Sequence, residues 1–156
     1  MAQPKKNLSP RIENRKAWHD YHIDAKLECG IALVGSEVKS LRDGKANLQD
    51  AYAAIEHGQL WLFQCHIDPY VKAAIAYNHE PTRPRKLLAH RREIKKLEDA
   101  TSTKGSTIIP LAIYFKEGRA KVEIGVARGK HYHDKRDAIR KKEQDRDIRR
   151  AMSHRR

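Results

Sequence analysis

Nine histidines and two cysteines are the side chains from which a metal centre or a nucleophile could be built. His19, Asp20 and His22 lie close together, as do His131, His133 and Asp134. Paired imidazoles beside a carboxylate could run acid–base cleavage of RNA, and three converging ligands could hold a divalent metal. Neither cluster has HExxH spacing or a Cys/His ladder. No glycine-rich phosphate loop occurs either, because Gly35 and Gly44 flank a predicted helix at the wrong spacing. Cys29 and Cys65 fit no CxxC or metal pattern and read as reduced, packed thiols. These groups therefore assign no catalytic residue, no metal and no cofactor. A His-dependent ribonuclease using His19 or His133 is the alternative from another functional class.

Charge says more. The 156 residues carry 33 Lys and Arg against 20 Asp and Glu, a net +13, which points to a polyanionic partner. The cations are clustered. Asn78–His79–Glu80–Pro81–Thr82–Arg83–Pro84–Arg85–Lys86 is a proline-punctuated loop that runs into Arg91, Arg92, Lys95 and Lys96. Residues 128–156 hold twelve Lys and Arg against five Asp and Glu, a net +7. Phosphates accept Lys and Arg in many geometries, so clustering matters more than exact spacing. Two separate basic segments on one small chain predict binding to RNA or DNA. Tyr70, Tyr77 and Tyr132 lie beside these segments and could stack on bases, although Tyr70 and Tyr77 suit a core rim equally well. Trp61 and Phe63 share a strand face and read as core. No apolar run approaches the roughly 18 residues of a membrane span, and MAQPKKNLSPR lacks the apolar stretch of a secretory signal. The expectation is a cytoplasmic protein.

Three segments must position these groups. Residues 1–14, polar and basic with Pro4 and Pro10, are expected to be a mobile arm. Residues 15–127 hold nearly all the apolar side chains and form one domain. Residues 128–156 are a basic tail with good helix propensity and a thin apolar stripe, expected to be disordered alone and helical on a partner. In the middle, Tyr21, Ile23, Ala25 and Leu27 alternate with polar residues as in a half-buried strand. Ile31 to Val34 reads as a second strand or as the first continuing past Gly30. Residues 51–56 and 59–67 form a hairpin around His57–Gly58. In a last pair, Ile109, Leu111, Ile113 and Phe115 face one way, and Val122, Ile124 and Val126 do the same. Ser36 is placed to cap a short helix to about Leu41, and His90, Ile94 and Leu97 mark another over about 87–99. The fold class is mainly β: a closed antiparallel barrel of about six strands, like the oligonucleotide-binding (OB) fold, with short flanking helices.

Several segments together resemble the SsrA-binding protein (small protein B, SmpB) family, the tmRNA-binding factors of trans-translation. They are Asn14–Arg15–Lys16–Ala17 with His19–Asp20–Tyr21, Gly35–Ser36–Glu37–Val38–Lys39–Ser40–Leu41–Arg42, and Gly44–Lys45–Ala46–Asn47–Leu48 with Ala51–Tyr52. His66–Ile67–Asp68–Pro69–Tyr70, Asn78–His79–Glu80–Pro81, Arg83 with Arg85–Lys86–Leu87–Leu88, Pro110–Leu111, Lys121–Val122–Glu123 and Asp134–Lys135–Arg136 complete the pattern.

The resemblance implies a monomeric OB-like barrel that binds the tRNA-like domain of tmRNA. It further implies entry into stalled 70S ribosomes together with elongation factor Tu. It places Asn14, Lys16, Glu37, Lys39, Ser40, Arg42, Asn78, Arg83, Arg85 and Lys86 on the RNA-binding surface. There Glu37 could accept from base N–H or ribose 2′-OH groups and supply selectivity. The tail, through Gly129, Lys130, His133, Asp134, Lys135 and Arg136, would meet 16S rRNA in the decoding site and empty mRNA channel. His133 matches the family's stacking position, where many relatives have Tyr. Asp68 stands where Ser is commoner, and residues 144–150 are more polar than in some members. The runner-up reading is a general RNA-binding barrel or ribosome-associated RNA chaperone.

Overall fold

The computed structural model describes residues 10–130 and the backbone of 132–153, with side chains in that last segment described from 140 to 152. In chain order the elements are β1 (Ile12–Glu13), α1 (Arg15–Asp20), β2 (Tyr21–Ile31), α2 (Gly35–Arg42), β3 (Ala46–Asn47), β4 (Tyr52–Glu56) and β5 (Gln59–Phe63). There follow β6 (His66–Ile67), a 3₁₀ turn (Ile75–Tyr77), β7 (Arg85–Leu88), α3 (Arg91–Ala100), β8 (Ser106–Lys116), β9 (Arg119–Gly129) and α4 (Tyr132–Ser153).

Six strands close a ring. They pair in the order β8-β4-β5-β7-β2-β9, and β9 returns to β8. Closure leaves these strands no free edge to template aggregation. Two hairpins have the left-handed turn residues that match strand twist: His57 (φ 52) with Gly58 (φ 73), and Glu117 (φ 53) with Gly118 (φ 77). The β3–β6 pair forms a separate two-stranded sheet.

Several details differ from the sequence expectation. Ile12 and Glu13 pair with Ile113 and Ala112 of β8, so this part of the expected mobile arm belongs to the sheet; residues 1–9 lie outside the described residues. Strand β2 runs unbroken through Gly30 to Ile31. Helix α2 starts one residue before Ser36, its N-cap being Val34, and Ser36 turns its hydroxyl elsewhere. Helix α3 starts at Arg91, because residues 85–88 are taken by β7.

The largest difference is in β8. Ile108, Ile113 and Phe115 point into the barrel core with Val122, Ile124 and Val126 of β9. Ile109 and Leu111 instead pack outside it with Ala17 of α1 and Ala127. A register shift between Pro110 and Ala112 changes which side chains face inward. Pro110 has no N–H to give the ladder, and a bulge is where a strand tolerates that loss.

Gly125 of β9 pairs with Lys26 of β2 on one side and Ile109 of β8 on the other. A Cβ there would lie 2.9 Å from Ile23 Cγ2 and 3.0 Å from Leu111 Cδ1. Gly125→Ala is therefore expected to destabilise the barrel by about 1–3 kcal/mol through overpacking. A lowered urea midpoint with an unchanged slope checks this; an unchanged midpoint would mean that the two strands can move apart freely.

Candidate nucleic-acid interface

Glu37 governs the region around α2. Its side chain is fully buried, and an isolated carboxylate in that position would be untenable. Three groups hold it. Arg83 donates from Nε to both oxygens at 3.2 Å and from Nη2 to Oε1, while Arg85 donates from Nε to Oε2. The Val34 N–H donates to Oε1 at 2.9 Å, so Glu37 also satisfies the open first turn of α2. Burial works to raise the pKa of this carboxyl. The Arg83 hydrogen bonds, the Val34 N–H and Arg85 together outweigh it and hold the group below its usual 4.5.

Arg85 is equally buried, its remaining nitrogens donating to the carbonyls of Cys65 (2.6 Å) and Pro81 (3.0 Å). The Pro81 carbonyl also accepts from the Ile67 N–H at 3.0 Å. One ion cluster thus ties α2, β6 and the loop before β7 together. Next to it, Ser36 Oγ meets His79 Nδ1 at 2.8 Å, and His79 Nε2 lies 2.9 Å from the Ile67 carbonyl. A carbonyl can only accept, so Nε2 carries a proton. Neither periodicity nor local spacing marks this pair, 43 residues apart in the chain.

Two asparagines act in the same internal way. Asn78 closes a loop: its Oδ1 accepts from the N–H groups of Tyr70 and His79, and its Nδ2 donates to the Tyr70 carbonyl at 2.9 Å. Asn14 is buried and clamps the bulge of β8. Its Nδ2 donates to Pro110 (2.9 Å) and Leu48 (3.2 Å), its backbone N–H donates to Leu111, and its Oδ1 accepts from the Ala17 N–H that opens α1.

The predicted RNA-contacting set therefore divides. Asn14, Glu37, Ser40 and Arg85 are buried and Asn78 is engaged with backbone, so the expectation that Glu37 offers its oxygens to RNA does not fit this arrangement. Lys16, Lys39 and Arg42 are exposed, while Arg83 and Lys86 are partly so. Lys45 is also exposed, on the turn that follows α2. Lys39 Nζ lies 5.4 Å from the Tyr70 ring centroid, and the Arg42 guanidinium 4.9 Å from that of Phe115.

The root of the tail is elsewhere. Gly129 pairs with Tyr21, the first residue of β2, and the Lys130 N–H donates to the Asp20 carbonyl at 2.9 Å. Helix α2 begins just beyond Ile31, the last residue of β2. Eleven strand residues at about 3.3 Å each separate the two positions by roughly 30 Å along the strand. Lys16, on α1, lies at the tail end. In α4, the described side chains from 140 to 152 are exposed, in keeping with their thin apolar stripe. The side chains of His133, Asp134, Lys135 and Arg136 lie outside the described residues.

Of the two histidine clusters, the side chains of His131, His133 and Asp134 lie outside the described residues. His19 Nδ1 lies 3.0 Å from its neighbour Asp20, and no cluster of three or more metal-ligating residues occurs among the described residues. Burial pushes the Cys29 thiol up to about 12 and the Cys65 thiol to about 11, so neither is a thiolate at neutral pH. No described helix is long and apolar enough to cross a membrane.

The family model for SmpB protein covers residues 11–154. An SsrA-binding protein of Syntrophomonas wolfei is 50% identical over 155 residues, spanning 99% of this chain and 98% of that one. One from Carboxydothermus hydrogenoformans is 54% identical over 140 residues, covering 90% and 93% of the two chains. A solved structure described as "tmRNA-SmpB: a journey to the center of the bacterial ribosome" superposes with a TM-score of 0.69 at 47% identity, over 85% of this chain and 96% of that one. With a six-stranded OB-like barrel and this likeness across nearly its whole length, the chain belongs to the SmpB family of SsrA-binding proteins.

Proposed function

We propose that this protein is a non-enzymatic RNA-binding factor that recognises the tRNA-like domain of tmRNA and delivers it to stalled 70S ribosomes. The observation that carries the reading is the likeness to SmpB as described with tmRNA in the ribosome, at 47% identity over 85% of the chain. Two exposed basic regions at opposite ends of β2 support it, since a factor that joins two RNAs needs two faces.

At one end, Lys39, Arg42, Arg83 and Lys86 meet RNA phosphates, while Lys16, on α1 at the tail end of β2, adds a separate phosphate contact. Glu37, Ser40, Asn78 and Arg85 are positioning residues behind the α2 cations, and Asn14, which caps α1, positions Lys16. Folded RNA is read largely through its shape and phosphate geometry. Fixed placement of the cations, more than their number, then supplies selectivity. At the other end, the tail, from Gly129 and Lys130 through His133 to Arg136, occupies the decoding site and the empty mRNA channel against 16S rRNA. Bound mRNA would exclude it, so an empty channel is sensed without catalysis. The protein acts as a cytoplasmic monomer, with elongation factor Tu in the delivery complex.

The Lys39→Ala/Arg42→Ala double variant tests the first face. Removing one cation from a phosphate lowers the slope of log K against log salt by close to one unit. The double variant is expected to bind the tRNA-like domain at least tenfold more weakly, with a slope reduced by about two. An unchanged slope would put the RNA on another face.

A further inference from the structure

Beyond the cations, the loop from Tyr70 to Asn78 has a feature that phosphate binding leaves unexplained. Val71, Ile75 and Tyr77 are 93%, 96% and 84% exposed. The loop that carries them is internally tied: Asn78 bonds both backbone groups of Tyr70, the Ala73 N–H donates to Tyr70, and the Tyr77 N–H donates to Ala74. A loop fixed at its neck holds two aliphatic side chains and a phenol ring out in water. That arrangement marks an interaction surface.

The surroundings indicate the partner. Lys72 sits within the patch and is exposed, and Lys39 lies against the ring of Tyr70 at its neck. Arg42 and Lys45 follow on the same helix and its exit turn. Asp68, before the neck of the loop, lies 3.1 Å from His66 Nδ1. Apolar tips ringed by cations match an unpaired stretch of RNA, where bases expose apolar faces and phosphates lie alongside. Apolar side chains are the groups proteins wedge against unstacked bases.

We infer that Val71, Ile75 and Tyr77 form a docking surface for unpaired nucleobases of the bound RNA, with Tyr77 stacking and Val71 and Ile75 filling the gap beside it. This rests on the reading of RNA as the partner. It adds a contact to bases, whereas the cations contact phosphates.

The Val71→Ser/Ile75→Ser/Tyr77→Ser variant separates the two. Nothing buried is altered, and thermal unfolding checks that the fold is kept. Binding to the tRNA-like domain transcript is measured across a salt series, with chemical probing of base accessibility. The expected result is about tenfold weaker binding with an unchanged salt slope, and loss of protection at specific unpaired bases. Equal affinity and an identical protection pattern would overturn the inference. So would normal RNA binding with loss of ribosome association alone, which would assign the patch to a ribosomal protein. If the wild-type chain itself fails to bind the transcript, the functional reading falls first, and the two failures are thereby distinguished.

Discussion

A chain cut after Lys130 is expected to keep affinity for the tRNA-like domain within about tenfold, or 1.4 kcal/mol, of the full protein and to lose all tagging on stalled ribosomes. Three observations set this expectation. Lys130 is still held by the Asp20 carbonyl, so the barrel closes as before. The exposed cations around α2 lie at the other end of β2, roughly 30 Å along the strand. The described side chains of the tail are exposed from residue 140 to 152, so their removal uncovers no core. The cut removes ten Lys and Arg with five Asp and Glu, and at low salt this slows association. At physiological ionic strength charges are screened over about 8 Å, so little of that effect reaches the α2 face. Binding by anisotropy and a reconstituted tagging reaction read the two outcomes separately. If the truncated chain no longer bound tmRNA, the division between barrel and tail would be wrong.

Glu37→Ala and Arg85→Ala are each expected to remove about 3–5 kcal/mol of stability, because each leaves a buried charge without its partner. Against the roughly 5–15 kcal/mol typical of a domain, that is a large share. With a urea slope of about 1–3 kcal/mol/M, the unfolding midpoint should fall by one molar or more. Glu37→Gln combined with Arg85→Met should recover part of the loss. Arg83, whose side chain is 31% exposed, can turn to water when its partner is neutral.

The pH dependence has a definite sign. The folded protein holds Glu37 below its ordinary pKa of 4.5. Its contribution is complete above that value and is lost as pH falls through the lower folded value. Wild-type stability should therefore decline with acid more steeply than that of Glu37→Gln. Parallel acid limbs would show that the cluster contributes no charge-dependent stability. RNA binding by the Ala variants should weaken along with the fold, since α2 and the Arg83 loop lose their common anchor.

The strand pattern carried much of this architecture, for identifiable reasons. Both hairpins were legible because His57–Gly58 and Glu117–Gly118 sit at the centre of alternating runs, where a left-handed turn is the short way back. Alternation failed in β8 because that strand is buried on both sides around Pro110, so the apolar run could not show that inward and outward faces exchange at the bulge. The pairing of Ile12 and Glu13 was hidden as well, since two residues are too few to show a period.

At the candidate site, the motif residues stood out by resemblance while their roles did not. Whether a carboxylate is buried depends on cations that come 46 and 48 residues later, and local sequence carries no trace of that partnership. Asn78, which the resemblance places on the RNA-binding surface, closes a loop. Lys39 and Arg42 entered through the resemblance alone, and both are exposed on α2.

The most direct test of the central claim is equilibrium binding of the full chain to the tRNA-like domain of tmRNA at near-physiological salt, with excess unlabelled tRNA as competitor. Electrostatic attraction alone makes no distinction between the two RNAs. A surface whose cations are held in place by the Glu37 cluster should. Binding that survives the competitor is the predicted result. Displacement by tRNA on equal terms would contradict it and leave a general basic RNA-binding barrel.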